Sequence, residues 1–178
     1  MEEFFPIEKG IENLIKDYDS NGVVGVDLVN IITKEDILAK NINHKSNELW
    51  MYACTKHKLP SIYIDEFIDV IPLKGLCFYQ ELGNNHITRI LDRLNTQPDF
   101  WNALLVQNPN TDKKIRKMYF HKISENTFFW FVMTTTSYKY NFDYSGYRYA
   151  SYNSLEHLEA LSNQEVEELV NIWKIHNG

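Results

Sequence analysis

Histidine and cysteine are the residue types of this chain best able to act as bases, nucleophiles or metal ligands. The six histidines are His44, His57, His86, His121, His157 and His176. None belongs to a His-x-His or His-Glu-x-x-His pattern, and Cys-x-x-Cys does not occur. Since zinc sites depend on such spacings, the sequence predicts no metal site. We expect no cofactor either.

Cys54 and His57 are the one pair with the spacing of a nucleophile and its base. They lie three residues apart on a predicted helix, where both side chains can project to one side. A buried thiol with an incidental histidine is the commoner arrangement, and we predict buried, unbridged thiols at Cys54 and Cys77. Gly-x-Ser-x-Gly and nucleotide-binding glycine loops are absent. The sequence favours a non-catalytic protein, with an enzyme of unrecognised site as one alternative.

Residues 33–60 have the pattern of two helices joined by a tight turn. Thr33 to Asp36 fits a capping box that opens the first helix, and Ser46 is a predicted cap of the second. Ala39 supplies a small residue where the helices would approach, and Asn43 suits the turn. The apolar residues predicted to lock the pair together are Leu38, Ile42 and Leu49. The pattern favours a helix-turn-helix.

This stretch, from Thr33-Lys34-Glu35-Asp36-Ile37-Leu38-Ala39 to Lys58-Leu59-Pro60-Ser61-Ile62-Tyr63-Ile64, resembles the winged-helix DNA-binding modules of excisionase-type and MerR-type proteins. The resemblance covers residues 33–64 and implies a recognition helix from Ser46 to His57, followed by an extended wing at Ser61 to Ile64. The residues that it would place against nucleic acid are Lys45, Asn47, Lys56, His57 and Lys58. A nucleic-acid-binding regulator is therefore one alternative function.

The segment from residue 113 to residue 150 is the only net-basic part of the chain, with seven basic and two acidic residues, and it holds 12 of the 25 aromatic residues. A sheet that binds single strands combines cations with exposed rings. The cations that could bind phosphate are Lys113, Lys114, Arg116 and Lys117. The rings that could instead form a protein-binding surface are Phe129, Phe131, Tyr138, Tyr140, Tyr147 and Tyr149.

Hydrophobic periodicity predicts an α+β fold, with a helical N-terminal half followed by an antiparallel β-meander packed against a C-terminal helix. Residues 1–108 form the mainly helical region, and residues 109–178 form the sheet and the last helix, with the two parts possible as one compact unit. The predicted strands are 118–123, 127–136 and one or two within 138–152, with a turn at Ser124 to Asn126 between the first two. Ile87, Ile90, Leu91 and Leu94 mark an amphipathic helix in the helical region. The last helix begins at a capping box, Ser162 to Glu165, and presents the apolar stripe Val166, Leu169, Val170 and Trp173.

Composition narrows the function classes. The net charge of −6 argues against a general nucleic-acid coat or a polybasic membrane binder. The acidic N-terminus differs from a secretory signal, and no apolar run is long enough to span a membrane, so we expect a cytoplasmic protein. Asparagine, isoleucine, lysine and tyrosine are abundant, as in proteins from A+T-rich genomes, which suggests phage or mobile-element character. The sequence thus favours an inhibitor or immunity-type factor with a protein partner; nucleic acid and a homodimer are further possible partners.

Overall fold

The computed structural model describes residues 6–21, 32–140 and 156–178, with the side chains of 136–140 excepted. Regular structure in these ranges is helical throughout, with no strand. The α-helices are α1 (Ile7–Asn21), α2 (Lys34–Leu38), α3 (His44–Lys56), α4 (Ser61–Phe67), α5 (Leu73–Tyr79), α6 (Asn84–Thr96), α7 (Asp99–Asn102), α8 (Lys113–Tyr119), α9 (Glu125–Tyr140), α10 (Glu156–Glu159) and α11 (Asn163–Asn177). A π-helical turn covers Ala103–Gln107, and a 3₁₀ turn covers Phe120–Lys122.

The predicted α+β fold is wrong for the described part of the chain. The stretch expected to form the first two strands is instead α8, the 3₁₀ turn and α9. Residues 128–132 are apolar at every position, so they satisfy the period of a strand and that of a helix equally. The remainder of the predicted meander, residues 141–152, lies outside the described residues.

The start of α9 shows why this stretch is helical. The Ser124 hydroxyl accepts a hydrogen bond from the backbone N–H of Thr127, as an N-cap does. Along α9, Phe128, Phe131 and Thr135 are buried at helical spacing. Strand propensity of the aromatic residues is overridden because this spacing buries one complete helical face.

The chain divides into two compact units, Met1–Gln80 and Glu81–Gly178. In the first unit, α3 packs against α1 and α5. Gly75 permits the close approach of α5 to α3, because a Cβ atom there would lie 2.9 Å from Cys54 Sγ. Trp50 and Phe67 lie in the core with ring centroids 5.0 Å apart.

In the second unit, α11 packs against the 3₁₀ turn, α8 and α9. Trp173 of α11 stacks on Phe128 of α9 with ring centroids 4.0 Å apart, and its indole N–H donates to the carbonyl of Ile123 at 3.0 Å. Leu169 is buried one turn earlier. The apolar stripe predicted for the last helix therefore covers helices, where the sequence predicted a sheet.

Two helix starts agree with the sequence. Thr33 and Asp36 form the reciprocal capping box at α2, and the Ser162 hydroxyl accepts from the backbone N–H of Glu165 at α11. Such caps satisfy the unpaired N–H groups of the first helical turn using residues only three positions away. Local sequence is therefore sufficient to place them.

The region expected to form a wing is also helical. Ser61 to Ile64 opens α4, whose start follows Pro60. Tyr63, Ile64 and Phe67 are buried at helical spacing. The prediction of an extended segment here is wrong, because the apolar residues fit one face of a helix.

Candidate functional site

The predicted helix-turn-helix is present as α2, a turn and α3, but its interior contacts differ from those expected. Ala39 is exposed, and Ile42 is 71% exposed, so neither residue locks the two helices together. The left-handed residue of the turn is Lys40, with φ 57°, whereas Asn43 is extended at φ −152° and caps α3 through Ser46. α2 ends early, and Ile42 is thereby left outside the core.

The residues predicted to bind nucleic acid spread along α3 and just beyond it. Lys45 and Asn47 are half-buried near its start, and Lys56 and Lys58 are exposed near its end. His57, the C-cap of α3, is only 19% exposed at its side chain and contacts α1. The two exposed lysines are therefore the members of this set most accessible to a phosphate.

His57 is held by a carboxylate. Its Nε2 lies 2.6 Å from Oδ2 of Asp17, forty residues earlier in α1. The hydrogen bond from His57 holds the pKa of Asp17 below its usual value, against the opposing effect of burial, and hydrogen bonds from Asn21 and Tyr52 act in the same direction as His57. The Tyr52 ring lies edge-on to the ring of Tyr18 at 5.4 Å. The arrangement fixes the orientation of the imidazole.

A buried glutamine fixes the backbone on the other side of His57. Gln80 donates from Nε2 to the carbonyls of Cys54 and His57, and its Oε1 accepts from the N–H of Leu59. These bonds satisfy backbone groups where α3 ends. Gln80 and Asp17 together hold the α3–α4 connection.

The Cys54–His57 pair does not form a nucleophile and base. Cys54 is a buried free thiol, and burial raises its pKa far above the usual value. His57 is directed to Asp17. Because a thiolate is the reactive form, a buried thiol of raised pKa is inert. The prediction that Cys54 and Cys77 are buried, unbridged thiols is confirmed.

The predicted basic run lies in and around α8, where most of its charge is neutralised or buried. Lys113 pairs with Glu165 at 3.4 Å, and Lys117 pairs with Glu168 at 2.7 Å. Lys114 is exposed. Arg116 is only 5% exposed, so it is unable to reach a phosphate on the surface. These ion pairs join α8 to α11.

Arg116 has a structural partner in the π-helical turn. Its Nε–H donates to the carbonyl of Leu105 at 2.9 Å. The neighbouring carbonyls are bonded as well, Leu104 by the Thr111 hydroxyl at 2.6 Å and Val106 by His157 Nε2 at 2.6 Å. Three side chains thus satisfy three successive carbonyls where the helix ends. Burial lowers the pKa of Arg116, and the charges of Glu165 and Asp112 oppose that effect.

The predicted protein-binding rings divide into four groups. Phe131 is fully buried and meets Phe120 edge-on at 4.9 Å, so it belongs to the core and is unable to contact a partner. Phe129 is 52% exposed. Tyr138 and Tyr140 lie in the last turn of α9. Tyr147 and Tyr149 fall outside the described residues.

Phe129 belongs to an apolar stripe on the outer side of α9. Val132 and Met133 follow it at i+3 and i+4, the spacing of one helical face, and both are partly exposed. We call Phe129, Val132 and Met133 the outer stripe. The sequence from Asn126 to Tyr138 contains no charged residue. In a strand, Phe129 and Phe131 would share one face, so the strand prediction misses Val132 and Met133. Helical spacing of the same sequence places Val132 and Met133 on the face of Phe129.

Two negative findings apply to the described ranges. No group of three or more histidine, cysteine, aspartate or glutamate side chains there could hold a metal ion. No described helix combines the length and the apolar character that a membrane crossing requires.

The described part of the chain is thus an all-helical protein with one uncharged apolar stripe and a half-buried Asp–His pair. No protein-family model, no curated protein and no solved structure matches the chain.

Proposed function

We propose that this chain is a non-catalytic binding protein, of inhibitor or immunity type, that engages another protein through a surface including the outer stripe of α9. The observation that carries the proposal is the 52% exposure of Phe129 in a helix whose residues 128–133 are all apolar, so that both sides are apolar there. A helix that is apolar all round is normally buried on all sides. Aromatic side chains also dominate the energetics of protein interfaces.

The net charge indicates the kind of partner. The chain carries a formal charge of −6, which favours the long-range approach of a basic protein. Most of that charge lies in residues 1–80, whereas residues 81–178, which include the outer stripe, hold ten basic and eleven acidic residues, so the contact at the stripe itself is apolar. A basic protein with an apolar groove complements both features. A phage or mobile-element origin fits an inhibitor of this kind and rests on composition.

A capture experiment with matched variants tests the proposal. Tagged wild-type chain, Phe129→Ser and Met118→Ser are used to recover partners from the cells that make the protein. Met118 is the control because it is apolar, 49% exposed and in the same unit, on α8. We expect one protein to be captured by the wild type and the Met118 variant and lost with the Phe129 variant.

The captured protein is then purified and titrated directly. Loss of an aromatic hot spot costs about 2 kcal/mol or more, so Kd should rise about 30-fold for Phe129→Ser. Equal affinity of the two variants would place the interface elsewhere, and the absence of any specific partner would contradict a binding role. Circular dichroism of both variants checks that they remain folded.

Nucleic-acid binding by α3 is the second candidate. The observation in its favour is the exposure of Lys56 and Lys58 around the end of a capped helix that follows a tight turn. Its weakness is the charge of the unit itself, because residues 1–80 contain eight basic and thirteen acidic residues. Phosphate binding is electrostatic and salt-dependent, so it can be tested separately from protein binding.

A further inference from the structure

Two histidines stack where the last helix meets the rest of the second unit. His121 lies in the 3₁₀ turn and His176 in the last turn of α11. Their ring centroids are 4.2 Å apart and the ring planes are inclined by 20°. Asn177 donates from Nδ2 to the carbonyl of His121 at 3.0 Å, which ties the same two elements together. The stack therefore lies at the anchor of the C-terminal end of α11.

The two rings differ in their hydrogen bonding, and the surroundings of His121 favour its neutral form. His176 Nδ1 lies 2.8 Å from the carbonyl of Ile172, to which an N–H there donates. His121 Nδ1 is buried with no hydrogen-bond partner. Both nitrogens of an imidazolium carry protons, so charging His121 would bury an N–H without an acceptor. Protonation of this ring is therefore costly in the folded state.

The surrounding elements carry charged groups of both signs. They are Lys113, Lys114, Arg116 and Lys117 of α8, Lys122 of the 3₁₀ turn, Glu125 of α9, and Glu165, Glu167, Glu168, Lys174 and His176 of α11. Glu165 and Glu168 are engaged by Lys113 and Lys117. Burial lowers the pKa of His121, and the charges of His176 and Lys122 lower it further.

We propose that the His121–His176 stack is a pH-sensitive latch, which holds the C-terminal end of α11 in place when His121 is neutral and releases it when the medium is acidified. Release uncovers apolar surface, because Trp173 lies one turn before His176 and covers Phe128. The latch rests on the second unit alone and is independent of the proposed protein interface.

The direction of the effect follows from the two states. An unfolded histidine has a pKa of about 6.5. The pKa of His121 is lower than this in the folded state, so the released state binds more protons as the pH falls. The latch is therefore closed above about pH 6.5, and its contribution is lost as the pH falls towards the folded pKa of His121.

Hydrogen exchange on the full chain tests the latch. Amide exchange of residues 173–177 is measured at pH 7.5 and 5.5 for the wild type, His121→Gln and His44→Gln, with correction for intrinsic rates. His44 is the control because it is exposed and lies in the other unit. We expect protection of these amides to fall on acidification in the wild type and His44→Gln, up to the limit of about tenfold that one histidine of unfolded pKa near 6.5 can produce between these pH values, and to be unchanged in His121→Gln. Equal pH responses in all three proteins would overturn the proposal.

A titration of the unmodified protein provides a second test that needs no variant. The ring protons of His121 are followed by NMR between pH 4 and 8. We expect a midpoint below that of a histidine in an unstructured peptide, together with changes in the Trp173 indole N–H signal at the same pH. A midpoint at or above the peptide value, or an indole signal that does not follow the titration, would overturn the latch.

Discussion

His57 Nε2 lies 2.6 Å from Asp17 Oδ2, and this contact joins α1 to the end of α3 across forty residues. Both side chains are less than one third exposed, at 19% and 28%. Hydrogen bonds to charged groups are stronger when the groups are partly buried than when they are fully exposed to solvent. The contact helps to fix α1 against α3 in the first unit.

Asp17→Asn should reduce the stability of the first unit by about 1.5 kcal/mol at pH 7. The folded pKa of Asp17 is lowered by the His57 hydrogen bond, so this contribution is present above the unfolded value near 3.9 and is lost as the pH falls through the folded value. Urea unfolding of wild type and variant between pH 3 and 7 measures it. A difference that stays constant over this range would show that the carboxylate charge is not involved.

Arg116→Met should destabilise the second unit by about 1.5–3 kcal/mol, since the buried carbonyl of Leu105 loses its charged donor. Lys114→Met, an exposed neighbour on the same helix, is the control and should change stability by less than about 0.5 kcal/mol. Thermal unfolding of both variants is the measurement. Equal effects would contradict the structural role of the guanidinium.

Phe131→Ala should cost about 3–5 kcal/mol, whereas Phe129→Ala should change stability by less than about 0.5 kcal/mol. Residues i and i+2 share one face of a strand but point to nearly opposite sides of a helix. Urea unfolding of the two variants therefore distinguishes the helix from the strand predicted from the sequence. Similar losses for both would favour the strand.

Replacing Lys56 and Lys58 by glutamate should strongly weaken nucleic-acid binding if α3 contacts phosphates. Any binding of the wild type should weaken steeply with salt, and loss of two phosphate contacts should reduce the log–log salt slope by about 2. Lys9→Glu with Lys16→Glu, on α1, makes the same charge change in the same unit. Fluorescence anisotropy measures the affinity of both double variants for nucleic acid. Equal losses of affinity would indicate that the charge of the unit, and not the position of Lys56 and Lys58, determines binding.

Sequence patterns were reliable where the interaction is local. The cap of α2 joins Thr33 to Asp36, three residues apart, and the buried stripe of α6 repeats at Ile87, Ile90 and Leu94. Such contacts form within one helical turn, so residue type and spacing specify them without the rest of the chain. Ser124 was a similar signal that the sequence reasoning assigned to a turn, although it caps α9.

The sequence by itself determined the caps of α2 and α11, the amphipathic helices and the burial of both cysteines. Only the tertiary structure decided that residues 125–140 are a helix, because Phe128 is matched by Trp173, forty-five positions away. It also decided that Arg116 is internal, since its acceptor, the Leu105 carbonyl, lies at a π-helical turn. A continuous apolar run has no period of its own, and a long-range partner selects its conformation.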